Sequence, residues 1–364
     1  MLDALDRDRW TPVVAAPDGP LLAEVAQRGI QALALPVCPL ARPRTLAGAW
    51  SMLGTLREGW RAVGQAVAII SPDVLHANTT PAMLYALRTT GVPVVWQVRD
   101  LAPLGRWARL CDRRAAQVAV ISQSVARHVT QCTQNEAKIT PLPPAVDTTR
   151  FSPPSDREAV RRTLGLPIDV PLIGLVAQFV PWKRHHLFLD ALEALADRPW
   201  HAVLAGADLH HDQQYLDSIL QRLERPPLAG RVSRLPWQAE PAALFGALDL
   251  CVLTSQREPF GRVIIEAQAC ATPVVAVGED GPREIIRHNL TGLLTSDKSA
   301  EIAAAIATLL DDPARRMELG GAARDHVIQR YSLTAQREIL TRLYQQCLTY
   351  PPQPPSFIGK RVGG

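Results

Sequence analysis

No apolar run approaches the ~18–20 residues that a membrane-spanning helix needs; even the stretch 47–70 is broken by Arg57, Glu58 and Arg61. The six cysteines, Cys38, Cys111, Cys132, Cys251, Cys270 and Cys347, include no C-x-x-C pair and no zinc spacing, so they read as reduced residues of a cytosolic protein. No G-x-G-x-x-G follows a predicted strand, which disfavours a dehydrogenase. Ser122 ends an apolar run but lacks a nucleophile elbow, so a hydrolase triad is unsupported. No repeat of solenoid period is visible, and no glycine precedes Gly19. Residues 1–8 are too charged for a signal peptide.

What is there is ordinary in bulk and uneven in distribution. The chain is 47% apolar and 20% charged over 364 residues, enough for a sizeable core and, by length, for two domains. Net charge is +4, too small to argue for nucleic acid. Residues 1–150 carry 16 basic and 11 acidic side chains, whereas 151–364 carry 23 and 24. The basic half suits a phosphate-bearing substrate, an anionic membrane surface, or merely solvated arginine faces.

Short apolar runs alternate with helical patterns throughout, the mark of βαβ units and parallel sheets. Strands are predicted at 12–16, 31–36, 73–77, 92–98, 117–121 and 138–142, then at 172–177, 201–205, 232–235, 250–254 and 274–277. Helical patterns between them include 46–66, 82–90, 186–196, 213–223 and 263–270; after Thr295 only helices are predicted, at 298–310, 313–331 and 334–349. The proline-rich stretch 141–171 is read as a linker, with domains at 1–150 and 151–349 and an unstructured tail at 350–364.

The chemistry concentrates at 250–294. A buried strand leads into Ser255-Gln-Arg-Glu-Pro-Phe-Gly261, which opens a helix at Arg262. Gly261 permits close backbone approach, and the helix start offers N–H groups and a dipole to an anion. Glu258 precedes the helix and Glu266 lies within it; carboxylates accept hydrogen bonds from hydroxyls, so two of them around a phosphate pocket suit a sugar phosphate.

Glu258-Pro-Phe-Gly-Arg-Val-Ile-Ile-Glu266, Pro273-Val-Val-Ala276, Gly281-Pro-Arg-Glu284 and Thr291-Gly-Leu-Leu294 closely resemble the donor domain of retaining GT-B glycosyltransferases of family 4, or group 1. Gly174-Leu-Val-Ala-Gln-Phe-Val-Pro-Trp-Lys183 resembles that family's strand and turn with a diphosphate lysine, and Ala145-Val-Asp147 with Phe151 its interdomain linker. The resemblance implies an α/β fold of two doubly wound, Rossmann-like domains facing a cleft, the first binding acceptor and the second a nucleoside-diphosphate sugar. It implies that Glu258 holds the transferred sugar, Glu266 the ribose, and Lys183 the leaving diphosphate. Phe260, Gly261, Arg262, Arg184, Gln178 and Glu284 complete the implied donor site, Glu284 having local pairing as its alternative. No cofactor is implied beyond the donor, and the absence of a well-placed Asp-x-Asp leads to an expectation of metal independence; Asp6-Arg7-Asp8 reads as solvated charge.

In the first half, His76 and Gln97 stand at strand ends, where ligands bind in open α/β sheets. With Arg99 they are the acceptor-side candidates, a structural histidine and an Arg99–Asp100 ion pair being the alternatives. Relatives have His where Gln97 stands, and arginine where Gln178 stands. Losing one cation costs about 1.5–3 kcal/mol of charge-assisted hydrogen bonding, leaving Lys183, Arg184 or Arg262 to carry the phosphates. Relatives also begin with an apolar strand and glycine-rich loop, whereas the first strand here resembles their second. The expectation is a first sheet with two interior edges unpaired, and a true start upstream of Met1.

The implied activity is transfer of a hexose to an acceptor hydroxyl, lipid-linked or on an oligosaccharide, with anomeric retention. Its rivals are a catalytically weak nucleotide-sugar binding or regulatory protein and a nucleotide-sugar epimerase of the same fold. Trp237 is a candidate for base stacking or for packing. Trp50 and Trp60 suggest peripheral contact at the inner face of the membrane, or a core face of their helix.

Overall fold

The computed structural model describes residues 1–38, 45–105, 107–208 and 212–349; the expected tail lies outside them. The chain divides into two compact units, Met1–Leu142 together with the chain from Arg337, and Pro143–Gln336. The sequence had closed the first domain at 150 and given the last helix to the second. That helix, Leu333–Leu348, instead returns to the first unit: Arg337 donates to the Ala4 carbonyl, and Tyr344 packs edge-on against Trp10. Its periodicity announces a buried face without saying which sheet receives it.

The first unit holds β1 (Val13–Pro17), β2 (Gln31–Leu35), β3 (Leu75–Ala77), β4 (Val94–Val98), β5 (Gln117–Val120) and β6 (Ile139–Pro141). Every residue of β4 is buried, as a strand covered on both faces requires. The strands form two separate parallel sheets, β1-β2 and β3-β4-β5-β6. Among the described residues β1 and β3 each keep one edge without a strand partner, the split expected when a doubly wound sheet lacks its central strand. The opening segment is a short 3-10 turn, Leu2–Ala4, followed by irregular chain. Ser122 caps the helix Gln123–Thr133 by accepting from Val125 N–H at 3.1 Å.

The second unit holds β7 (Leu172–Val176), β8 (His201–Ala205), β9 (Val232–Leu235), β10 (Leu250–Leu253), β11 (Val274–Val277) and β12 (Leu293–Thr295). All run parallel in the order β12-β11-β10-β7-β8-β9. The chain winds outward from β7 through β9, then returns to the other side of β7 with β10. The loops after β7 and β10 therefore leave neighbouring strands in opposite senses, the arrangement that opens a crevice at the carboxyl ends of an α/β sheet. β12 is a strand that the sequence does not announce, too short at three residues to show a period. One expectation is corrected here: the proline-rich linker contains the helix Arg157–Thr163, capped by Asp156.

Gly281 opens the helix Gly281–Ile285 directly against the loop after β10, and a Cβ there would stand 2.4 Å from Phe260 Cα. Replacing it with alanine is expected to cost about 1–3 kcal/mol through overpacking, lowering the thermal midpoint by several degrees. Gly321→Ala, in an open position of the helix Pro313–Tyr331, is expected to hold or raise it; thermal unfolding of the two variants checks the contrast.

Candidate functional site

The crevice between β7 and β10 gathers most of the second-half candidates. After β7 the chain turns through Pro181–Lys183, a single 3-10 turn, and the Lys183 ammonium lies 2.6 Å from Glu258 Oε2 although 75 positions separate them. Both side chains are nearly enclosed, at 13% and 10% exposure. The indole of Trp182 packs against the same ammonium, 3.9 Å from ring centroid to Nζ, and its backbone carbonyl accepts from Gln256 N–H at 2.8 Å. Thr254 Oγ1 donates towards the carbonyls of Lys183 and Arg184 at 2.8 and 3.1 Å. The two loops are thus stitched into one surface.

Arg184 has φ 51°, and its guanidinium donates to the carbonyl of Thr254 at 2.7 Å and to Ser255 O and Asp297 at 3.3 Å. It ties the ends of strands rather than presenting a free cation. Arg184, Arg257 and Asp280 all have positive φ, one in each loop following β7, β10 and β11. Such backbone is costly and clusters at functional sites.

Glycine at 261 is dictated by its backbone. With φ 94° it precedes the helix Arg262–Ala269, which no side chain caps, and a Cβ would meet Ile264 Cδ1 at 2.9 Å. The helix start therefore keeps its dipole and amides for an anion. Phe260 is buried and lies edge-on to Tyr331 at 5.7 Å. Glu266 sits one turn along from Arg262, whose guanidinium is 3.1 Å away. Burial pushes the Glu266 carboxyl above its usual 4.5, against the pull of Arg262. Glu284 lies half-buried on the Gly281–Ile285 helix, whose first residue closely approaches the Phe260 backbone. Gln178 is exposed in the loop between β7 and the turn.

Three neighbours of this site carried no sequence signal strong enough to single them out. Trp182 is one. Fully buried His185 stacks on Phe179 at 4.6 Å. Buried beside Lys183, its imidazole is pushed down to about 3. Ser255, buried at the end of β10, has an Oγ without a hydrogen-bond partner among the described residues. Exposed Trp237 lies beyond β9.

In the first unit His76, Gln97 and Arg99 come together at the ends of β3 and β4. His76 Nε2 is 3.2 Å from Gln97 Oε1, and Nδ1 is 2.8 Å from the Tyr344 hydroxyl. An amide oxygen only accepts, so Nε2 carries the proton and Nδ1 accepts from tyrosine. Burial, with Arg99 acting in the same direction, brings the imidazole down to about 4 despite the Gln97 bond, so the ring is neutral at pH 7. The sequence reading named three of these residues and missed Tyr344.

Two doubly wound parallel units, the second with a cation, two carboxylates and a helix start at its switch point, define the GT-B architecture of glycosyltransferases. The family models agree: residues 1–150 match the domain described as Glycosyltransferase Family 4, and residues 156–326 the domain described as Glycosyl transferases group 1. The chain is 36% identical over 204 residues to a D-inositol 3-phosphate glycosyltransferase of Kineococcus radiotolerans, covering 51% of this chain and 47% of the relative. A protein of that name from Segniliparus rotundus is 32% identical over 282 residues, 76% of this chain and 61% of the relative. The matched region thus spans about half to three fifths of these relatives. The crystal structure of Anabaena HepE in complex with UDP-glucose superposes with TM-score 0.78 at 27% identity, covering 94% of both chains.

A carboxylate held above its usual range loses its charge early on acidification. If Glu266 accepts ribose hydroxyls, affinity for UDP falls as pH drops, with a midpoint above 4.5. Glu266→Gln is expected to bind weakly at pH 7 and to lack that acid limb; calorimetric titration from pH 7.5 to 5 checks both.

Proposed function

We propose that the chain transfers a hexosyl group from a nucleoside-diphosphate sugar to an acceptor hydroxyl with retention at the anomeric carbon. The observation that carries the reading is the Lys183–Glu258 contact at 2.6 Å, beside the uncapped helix start at Gly261. A UDP-glucose complex among the structural neighbours supports the donor class. Relatives named for glycosyl transfer to inositol 3-phosphate support a hydroxyl acceptor; lipid-linked and oligosaccharide acceptors remain within this proposal.

Cleavage of the bond from the anomeric carbon to the diphosphate oxygen builds negative charge on the leaving group. The Lys183 ammonium and the helix amides stabilise that charge in place, without reorganising water. To reach the phosphates, Lys183 exchanges Glu258 for them, and Glu258 is released to accept hydroxyls of the sugar. Glu266 takes the ribose. The acceptor proton passes to the leaving phosphate, so no side-chain base is required, and His76 stays a neutral hydrogen-bonding group. With cation and dipole supplied by the protein, the reaction proceeds in EDTA.

The test is a panel of nucleotide-sugars with and without acceptors, reading nucleoside diphosphate release and the anomeric coupling of the product by NMR. Acceptor-dependent release with a retained anomer is expected. Donor binding without turnover identifies a nucleotide-sugar binding protein instead, and sugar interconversion without acceptor an epimerase. Lys183→Gln is expected to lower kcat/KM by about 100–1000-fold, the loss typical of removing one transition-state charge stabiliser, with little change in far-UV circular dichroism.

A further inference from the structure

Tyr344 comes from the last helix, Leu333–Leu348, yet its ring closes on the first unit. Trp10, shortly before β1, lies edge-on to it at 5.1 Å, and His76 of β3 lies edge-on at 5.8 Å. The tyrosine is buried, and among the described residues its hydroxyl has one hydrogen-bond partner, His76 Nδ1 at 2.8 Å. A phenol has one proton to give, and a buried O–H left without an acceptor is costly. The hydroxyl therefore donates, Nδ1 accepts, and the neutral imidazole carries its proton on Nε2.

β3 and β4 run parallel with His76 opposite Val95, so Gln97, two residues on, projects from the same face of the sheet. Nε2 reaches Gln97 Oε1 at 3.2 Å. An amide that accepts through its oxygen points its NH2 group elsewhere. Gln97 is buried, but its amide nitrogen, which bonds to nothing among the described residues, is not sealed from solvent. It stands near the carboxyl end of β4, the edge at which open α/β sheets bind ligands. Arg99, two positions further, is close enough for its charge to oppose protonation of the ring.

We propose that Tyr344 is a positioning residue: it fixes the His76 tautomer and, through it, makes Gln97 a donor-only contact for an oxygen of the substrate bound on the first unit. The sense of the chain of hydrogen bonds decides what the site offers. Reversed, with Nδ1–H facing the phenol oxygen and the amide turned over, Gln97 would show a carbonyl and take a hydroxyl proton. The phenol proton would then be buried with no acceptor, so the tyrosine removes that arrangement. A hydroxyl seated against Gln97 is bound through a lone pair, and a phosphoryl or carboxylate oxygen fits in the same way. The substrate contact rests on the glycosyl-transfer reading; the tautomer does not.

The experiment is long-range proton–nitrogen correlation NMR of the full chain labelled with nitrogen-15 histidine, the His76 signals being assigned by their loss in His76→Asn. Wild-type protein is expected to show the Nε2–H tautomer alone at neutral pH. Tyr344→Phe, which keeps the ring and removes the proton, is expected to show both tautomers. With the acceptor that supports nucleoside diphosphate release, Gln97→Glu keeps the shape but turns an oxygen outward; it is expected to lose roughly tenfold or more in kcat/KM, mainly through KM for that acceptor, and to fall below Gln97→Ala. Circular dichroism melts identify any variant that unfolds, the wild-type spectrum and the Gln97 variants then carrying the test. An Nδ1–H tautomer in the wild type, a single unchanged tautomer in Tyr344→Phe, or Gln97→Glu as active as the wild type would each overturn the proposal. Wild-type protein that transfers no sugar overturns the glycosyl-transfer reading instead, and the histidine spectrum still decides whether Tyr344 sets the tautomer.

Discussion

An ammonium and a carboxylate in contact, with little water around either, hold the second unit's crevice in its present form. Taking both charges out of water costs several kcal/mol per ion before their attraction is counted, so the Lys183–Glu258 pair persists because the surrounding backbone imposes it. Thr254 fastens the carbonyls of the lysine turn, Arg184 fastens those at the end of β10, and Trp182 supplies a π-face to the same ammonium. In the proposed reaction the pair is a poised arrangement: a diphosphate offers Lys183 more negative charge than one carboxylate does, and its arrival sets Glu258 free for neutral hydroxyls.

The position of this pair follows from topology. Return of the chain from β9 to β10 across β7 is what puts two residues remote in sequence side by side. The sequence made the individual parts legible. Apolar runs such as Leu172–Val176 and Leu250–Leu253 are buried on both faces and stand out from polar surroundings, and Gly261 announced a turn before a helix. Strand order is not written in such runs, so the resemblance, rather than the spacing, joined Lys183 to Glu258. For Arg184 the charge is visible in sequence, whereas its positive φ and its hydrogen bonds to the carbonyls of Thr254 and Ser255 are not.

The first unit was legible to a lesser degree. Its strands were found, and they fall into two separate sheets, β1-β2 and β3-β4-β5-β6. What could not be read was the contribution of the last helix. Tyr344 lies 268 positions from His76, yet hydrogen-bonds to it, and no local pattern links them. The outcome is a histidine locked in a neutral, doubly bonded state, which suits orientation of a neighbouring group better than proton transfer near neutral pH.

The most direct test of the account is calorimetric titration of UDP into wild-type protein and Glu258→Gln. Removing the competing carboxylate while keeping its shape leaves Lys183 available, so the variant should bind UDP several-fold more tightly while losing transfer from UDP-glucose. Unchanged or weaker UDP binding by Glu258→Gln, with the fold intact, would contradict the claim that the diphosphate takes Lys183 from Glu258.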